Sequence, residues 1–592
     1  MTDTARHDIR PGAAMIGQGR ARFRVWAPGC EAVGLVLRGG DALPMTRDEA
    51  GFFTLEAAAK PGDTYRFAIG GGNTLPDPAS RLQAGDVHDA SVVPDPAPYH
   101  WRHPAWAGRP WHETVLYELH PGACGGYAGI EAMLPRLAEI GFTAIELMPI
   151  ADFPGRHNWG YDGVLPYAPD TAYGTQEALK HLIDTAHGLG LMVFLDVVYN
   201  HFGPDGNYLH SYAPQFFRED MKTPWGGAID YRREPVRRYF IDNAIYWLDE
   251  FRFDGLRFDA VHAIKDDKFL ATMAHEIRAA IDPARQIHLV LENDDNNATL
   301  LAPDGAGALY DAQWADDTHH CFHVLLTGEQ GGYYEDYPEA AAQLARCLDS
   351  GFAYQGEASP HRDGEHRGTP SGHLPPTAFV AFLQNHDQIG NRAFGERLTT
   401  LADHDGLRAA MFLLLLSPQI PLVFMGEEYG EERPFLYFTD HASAELAEAV
   451  KTGRQAEFSK FPAFSSAEAQ RAIPDPNDKA TFAASIPSFD DAEAPGAGWR
   501  LFHTALLGIR REIVVPRIPG ARSLGATALG RSGVRASWRL GDESVLTIAA
   551  NFGEEPVACE PGEGMVLAAS PPTGRADAML PGRTAVAWFA PS

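Results

Sequence analysis

The sequence predicts an α/β chain: a (β/α)₈ barrel carrying an N-terminal β-sandwich and a C-terminal antiparallel β domain. Three observations predict it. Short apolar strands alternate with helical stretches from Trp111 onward, eight such strands can be counted, and the flanking regions are strand-like and rich in turns. A chain of 592 residues exceeds one ordinary core, so several domains are expected.

The first region, residues 1–105, alternates polar and apolar positions in short runs: Phe23-Arg24-Val25-Trp26, Val33-Gly34-Leu35-Val36-Leu37 and Tyr65-Arg66-Phe67-Ala68-Ile69. That period of two is the pattern of a half-buried strand, and the set reads as a small sandwich, here expected to be carbohydrate-binding-like. Five prolines between Val93 and Pro110 break regular structure, and the passage reads as a linker. Residues 106–514 form the expected barrel. Its strands are placed at 115–120, 144–149, 193–198, 256–259, 288–292, 309–314, 379–385 and 421–425. Helices fit 130–140 and 176–189, where apolar residues recur every three to four positions and Gly141 and Gly190 follow as stops. Residues 201–235, long and aromatic, read as a subdomain inserted after the third strand. A helix over 499–513 closes the barrel, and Asp490 to Gly496 before it reads as a mobile loop. Residues 515–592 return to strand-like runs such as Val545-Leu546-Thr547-Ile548.

Charge and cysteine usage narrow the function class. A formal charge of −29 and a pI near 5.2 exclude a nucleic-acid binder and favour a neutral or cationic ligand. The five cysteines are scattered with no C-x-x-C pair, as expected for free thiols in a reducing compartment. The first residues lack the apolar core of a signal peptide. The longest apolar run, Met411 to Leu416 and Ile420 to Met425, is broken by Ser417-Pro418-Gln419 and is too short to span a bilayer. The chain is therefore expected to be cytoplasmic and free of the membrane.

Active sites of such barrels lie at the carboxyl ends of the strands. Reading those ends gives Asp196 and His201 after the third, Arg257 and Asp259 after the fourth, Glu292 after the fifth, and His386 and Asp387 after the seventh. Alternation along a strand puts Arg257 and Asp259 on one face, where a guanidinium keeps a carboxylate ionised. Asp259, Glu292 and Asp387 thus converge, and crowding pushes one carboxyl pKa up beside an ionised neighbour. Two such groups about 5–5.5 Å apart suit a retaining glycosidase. A divalent-metal site is the other use of clustered carboxylates, and a structural Asp–Arg pair is the plainest. Phosphoryl chemistry would need a Gly-rich loop or lysine cradle, and none follows these strands.

Four segments together resemble the ordered signature regions of the α-amylase superfamily: Asp196-Val-Val-Tyr-Asn-His201, Gly255-Leu-Arg-Phe-Asp259, Leu291-Glu292-Asn293 and Gln384-Asn-His-Asp387. The resemblance implies Asp259 as nucleophile, Glu292 as acid/base and Asp387 as the group holding the sugar's 2- and 3-hydroxyls. It implies that Arg257 orients Asp259, that His201 and His386 bond the same glucose, and that Tyr161 of Trp159-Gly-Tyr-Asp162 stacks against it. Further segments resemble the malto-oligosyltrehalose trehalohydrolases: Trp314-Ala-Asp316-Asp317-Thr-His319-His320, Leu326 to Tyr334, Asn385 to Arg392, and Gln455 to Phe464 followed by Pro474-Asp-Pro476. That resemblance implies a hydrolase cutting the α-1,4 bond beside a terminal trehalose of maltooligosyl trehalose. It would work in metabolic pairing with a maltooligosyl trehalose synthase.

A site built to bond particular hydroxyls rejects analogues lacking them. Asp316, Asp317, His319 and His320 are candidates for such groups, with a polar surface loop as the plain alternative. Gln388, Asn391 and His262 are counted with them. Cys124 stands where relatives more often carry an aromatic residue, and Lys265 has no assigned role. Asn200 occupies a position that contributes to Ca²⁺ binding in calcium-dependent amylases, but no second carboxylate cluster completes a site. No metal and no cofactor are expected to be required. A 1,4-α-glucan branching enzyme is the competing transferase reading. A non-catalytic glucan-binding protein on the same fold is the other.

Overall fold

The computed structural model describes residues 10–592 except 96, 224–225, 302–308, 460–465, 490–495, 573 and 575–577. The expected loop from Asp490 and the end of the Gln455–Phe464 segment lie outside the described residues.

Eight parallel strands close into a barrel in sequence order. They are β1 (Leu116–Leu119), β2 (Ala144–Leu147), β3 (Met192–Val197), β4 (Gly255–Phe258), β5 (His288–Leu291), β6 (Ala312–Trp314), β7 (Phe379–Phe382) and β8 (Ile420–Phe424). All but the shortened β6 start within a residue of the expected positions. The register places Glu118 beside Glu146 and Asp196 beside Arg257. Positions two residues earlier are Leu116, Ala144, Phe194 and Gly255, and the first three belong to the apolar core inside the barrel. Two-residue alternation makes each strand apolar at its start and charged at its end on the same inward face. The apolar layer closes the barrel below, and the charged layer lies at its mouth. Gly255 is required: a Cβ there would stand 2.1 Å from the Phe194 ring.

Helices α1 (Gly126–Ile140), α2 (Gln176–Gly188), α3 (Glu234–Asp249), α4 (Asp267–Ala280), α5 (Asp316–Thr327), α6 (Ala340–Ser350), α7 (His404–Leu416) and α8 (Gly496–Ile509) belong to this central region. Helix α1 stops at Gly141, whose left-handed φ of 116° suits glycine. Helix α2 starts where Thr175 Oγ1 accepts from Ala178 N. Helix α8 continues into a π-helical turn, Arg510–Val514. Arg510 is buried there and donates to the carbonyls of Leu415, Ser417 and Gln419, tying the end of α7 and the start of β8 to the last helix.

Before the barrel, two antiparallel sheets face one another. One contains Gly12–Gly17, Arg20–Trp26, Phe52–Ala58 and Thr46–Arg47, and the other contains Ala42–Pro44, Val33–Leu37, Thr64–Ile69 and Asn73–Leu75. Phe23, Leu35, Phe53 and Phe67 are buried between them. The proline-rich passage does not hang free. Trp106 Nε1 donates to Asp254 Oδ1 at 2.7 Å, and Arg102 and His103 donate through their backbone N–H groups to Asp184. Residues 201–235 form a short helix and a two-stranded sheet, Phe217–Thr223 with Gly226–Ile229. Tyr212 of this insertion donates to the Pro76 carbonyl at 2.9 Å, so the insertion bridges sandwich and barrel. Beyond α8, a five-stranded antiparallel sheet runs through residues 522–590. Among the described residues no helix is long and apolar enough to cross a membrane.

Candidate active site

Arg257 organises the mouth of the barrel. It is fully buried at the end of β4, with its guanidinium 4.2 Å from the centre of the Trp314 ring. One nitrogen donates to Asp196 Oδ2 at 2.6 Å and to Asp259 Oδ1 at 2.8 Å, while the other lies 3.0 Å from Glu292 Oε2. A single cation therefore holds three carboxyl groups from three strands. Asn200 donates its amide to Asp259 Oδ2 at 2.7 Å. Ala260 follows in the left-handed region at φ 40°, a conformation costing a non-glycine residue about 1–3 kcal/mol. That turn points its N–H at Glu292 Oε2, 2.7 Å away.

The two carboxyls differ in environment. Burial alone would raise the Asp259 pKa, but Arg257, His201 and the Asn200 hydrogen bond outweigh it and hold the group below the usual carboxylate range. Glu292 is driven well above that range by burial, which with Asp259, Asp387 and Asp316 overcomes the opposing pull of Arg257. The site thus pairs an ionised carboxylate with a neutral carboxylic acid.

A second chain of contacts crosses the floor. Burial opposes protonation of His386, yet Glu118 and Asp387 raise its pKa to about 9. Its Nδ1–H donates to Glu118 Oε1 at 2.5 Å. Its Nε2–H faces the Tyr161 hydroxyl at 2.8 Å, and that hydroxyl donates to Asp196 Oδ2 at 2.6 Å. The Tyr161 and His386 rings stack, with centroids 5.1 Å apart. Asn385 caps the short helix His386–Gly390 by accepting from Asp387 N and Gln388 N, which presents Asp387 to the cavity with its side chain 38% exposed. His201 lies against Asn200 and 3.0 Å from the Tyr161 carbonyl, and burial keeps its pKa below the ordinary value.

Comparison with known proteins gives the family of the chain. Residues 113–225 match the α-amylase catalytic domain family, and 521–588 match a domain of unknown function, DUF3459. A malto-oligosyltrehalose trehalohydrolase from Arthrobacter ramosus is 40% identical over 83% of this chain and 88% of its own length. The chain belongs to the malto-oligosyltrehalose trehalohydrolase family. A Rhizobium sp. member is 37% identical over 94% of this chain and 95% of its own. A Salmonella typhimurium crystal structure described as an α-amylase superposes with a TM-score of 0.92 at 43% identity, covering 98% of this chain and 99% of that one. A branching enzyme from Pseudoalteromonas atlantica, by contrast, matches only 40% of this chain and 38% of its own.

Within this trehalohydrolase-family site, a polar cavity of about 300 Å³ opens beside Glu292 and Asp387. His262, Asp316, His320, Gln388 and Asn391 line it. Burial and then Asp294 raise the Asp316 pKa to about 7, and Gln388 Nε2 lies 3.4 Å from Asp316 Oδ1. Asp317 and His319 do not line it. Asp317 is fully buried and accepts from Tyr337, Asn296 and the backbone of Ala353 and Tyr354. His319 lies against the Leu383 carbonyl and the Tyr334 hydroxyl. These two brace the wall rather than face the cavity, because Asp316 and His320, four residues apart, share the helical face of α5 that turns to it, and Asp317 and His319 lie off that face.

The sequence reading missed the opposite wall. Asp294, Tyr333, His361, Arg362 and Arg367 also line the cavity. Arg367 bonds Asp294 at 2.8 Å and lies 2.9 Å from Asp317, and Arg362 bonds Asp295 at 2.8 Å. His361, Arg362 and Arg367 come from a mixed-charge stretch, His361 to Arg367, that lies far in sequence from any strand end and carries no motif. A larger cavity, about 1080 Å³, lies between α8 and the C-terminal sheet against Leu501, Phe502 and Val566. It holds none of the carboxyls of the barrel mouth.

Proposed function

We propose that this protein is a retaining hydrolase of maltooligosyl trehalose, with Asp259 as nucleophile and Glu292 as acid/base. The carrying observation is that one guanidinium holds an ionised Asp259 and a neutral Glu292 beside a polar cavity of disaccharide scale. In the first step the Asp259 carboxylate attacks the anomeric carbon of the glucose unit before the trehalose, and a glycosyl ester forms. The C–O bond to the leaving sugar breaks as Glu292 gives that oxygen its proton. In the second step Glu292, now ionised, takes a proton from water, whose oxygen displaces Asp259 and returns both carboxyls to their starting states. Asp387 accepts hydrogen bonds from the sugar's 2- and 3-hydroxyls, while His386 and His201, whose ring nitrogens are taken up by Glu118, Tyr161 and Asn200, hold the floor beneath the same ring rather than donate to it. Tyr161 supplies the stacking face.

Asp316, His320, His262, Gln388, Asn391 and the arginine wall receive the leaving disaccharide. A trehalose unit presents hydroxyls at both ends and no reducing group. A wall of charged and amide groups bonds those hydroxyls and leaves unpaired polar atoms against a poorer fit. The substrate requires an enzyme that converts the reducing end of a maltodextrin into a trehalose unit, which gives the synthase pairing. Five free thiols support a reducing compartment such as the cytoplasm.

Incubation with maltotriosyltrehalose tests the reading. Free trehalose and maltotriose are the expected products. Amylose gaining α-1,6 branches with no trehalose released would establish the transferase instead, and inertness on every glucan would establish a binding protein.

A further inference from the structure

Glu146, on β2, plays no part in the chemistry above, yet it lies in the same charged layer. It is 1% exposed, and neither carboxyl oxygen has a hydrogen-bond partner among the described residues. Asp196 Oδ1 and Arg257 Nε are likewise buried without partners among those residues. The groups facing Glu146 are Glu118 on the neighbouring strand, Asp196 on the other neighbour, Arg257 on β4, and His386 from the short helix after β7. Buried polar atoms are costly unless hydrogen-bonded, so a cluster of unpartnered ones calls for bridging water.

We propose that Glu146 is a positioning residue of the catalytic floor: it carries a proton and, through buried water, ties the second oxygen of Asp196 into the network that holds Arg257 against Asp259. The charges decide the protonation state. Around Glu146 the carboxyls of Glu118 and Asp196 already face Arg257 and His386, and a further anion among them is opposed by burial first and then by Glu118 and Asp196. A neutral carboxyl is also the more useful group, since its O–H donates while its carbonyl accepts. It can thus serve a carboxylate on one side and a guanidinium on the other without adding charge.

The proposal rests on the role given to Asp259 above, and its test separates the two. Wild-type protein at neutral pH is expected to show the infrared carbonyl band of a protonated carboxylic acid that disappears in Glu146→Gln. Absence of such a difference overturns the protonated state whatever the enzyme acts on. In kinetics on maltotriosyltrehalose, Glu146→Leu is expected to lower kcat about tenfold or more with KM little changed, as buried partners lose their donor. Glu146→Gln, neutral and of the same shape, is expected to rescue most of that loss and leave the acid limb of the pH profile in place. A shift of that limb to lower pH in Glu146→Gln would mean that a negative charge had been removed, and would overturn the proposal. So would wild-type kcat in Glu146→Leu. Where Glu146→Leu does not fold, the Gln variant and the infrared band still decide. Failure of the wild type to release trehalose would fall on the proposed reaction and leave the infrared result standing.

Discussion

At the scale of single residues, the site works by setting two carboxyls in opposite protonation states. Asp259 lies below its ordinary pKa and Glu292 well above, so both are in their working forms across a window between those two values. Activity falls on the acid side as Asp259 takes up a proton and on the alkaline side as Glu292 loses one. Glu292→Gln removes the proton donor and is expected to lower turnover of maltotriosyltrehalose by about 10²–10⁴-fold. The residual activity should keep its acid limb and lose its alkaline limb, and a pH–rate profile checks both. A substrate with a nitrophenoxide leaving group needs no protonation, so its first step should be nearly unaffected in the same variant. Equal losses on both substrates would remove Glu292 from that role. Asp259, Glu292 and Arg257 were legible in the sequence because strand alternation and barrel geometry fix where strand-end side chains point. Glu118 and Glu146 were not singled out, because a glutamate inside an apolar strand gives no sign of what it faces until neighbouring strands are in register.

At the scale of elements, the strands came through clearly while the loops did not. Short apolar runs between helical stretches located β1 to β5, β7 and β8, but β6 is shorter than expected, since only Ala312–Trp314 pair with β5 and β7. The cavity wall carrying Arg362 and Arg367 was illegible because it is built by long-range ion pairs and not by periodicity. That wall has a testable load. Arg367 is almost fully buried between Asp294 and Asp317, and removing one partner of a buried pair costs about 3–5 kcal/mol. Arg367→Met should therefore lower Tm, and it should raise KM for maltotriosyltrehalose more than for maltopentaose, since the wall faces the leaving disaccharide. Equal KM changes on the two substrates would confine Arg367 to stability. The linker offers a second case. Its prolines spoke for a loose connection, yet Asp184 accepts from the backbone N–H groups of Arg102 and His103 and from the Arg102 side chain. Those bonds outweigh burial and lower the Asp184 pKa to about 2. A depressed carboxyl pKa contributes stability that is complete above the unfolded value and is lost as pH falls from about 3.8 toward 2. Asp184→Asn is thus expected to lower Tm at neutral pH, with the difference from wild type shrinking through that acid window. A Tm gap that is independent of pH would show that the carboxylate charge contributes nothing to linker docking.

At the scale of the whole molecule, composition limited the ligand without naming it. A net charge of −29 disfavours polyanions by repulsion, but it says nothing about which neutral molecule enters. The fold class was legible as a count of strands with helices between them, and the sandwich as alternation, whereas the docking of one part on another rests on contacts such as Arg510 with three backbone carbonyls. The net charge nevertheless makes a prediction about kinetics. Long-range steering acts only on charged partners, and 0.1 M salt already screens it beyond about 10 Å. An uncharged glucan feels no such field on approach. The catalytic charges are buried, and their interactions over 2.6–3.0 Å lie far inside any screening length. Raising NaCl from about 0.02 to 0.5 M is therefore expected to leave kcat/KM for maltotriosyltrehalose unchanged within about twofold, because only the screened outer field is altered. A steep fall with salt would mean that the surface charge takes part in capture, and would point to a cationic group on the true substrate and away from a neutral sugar.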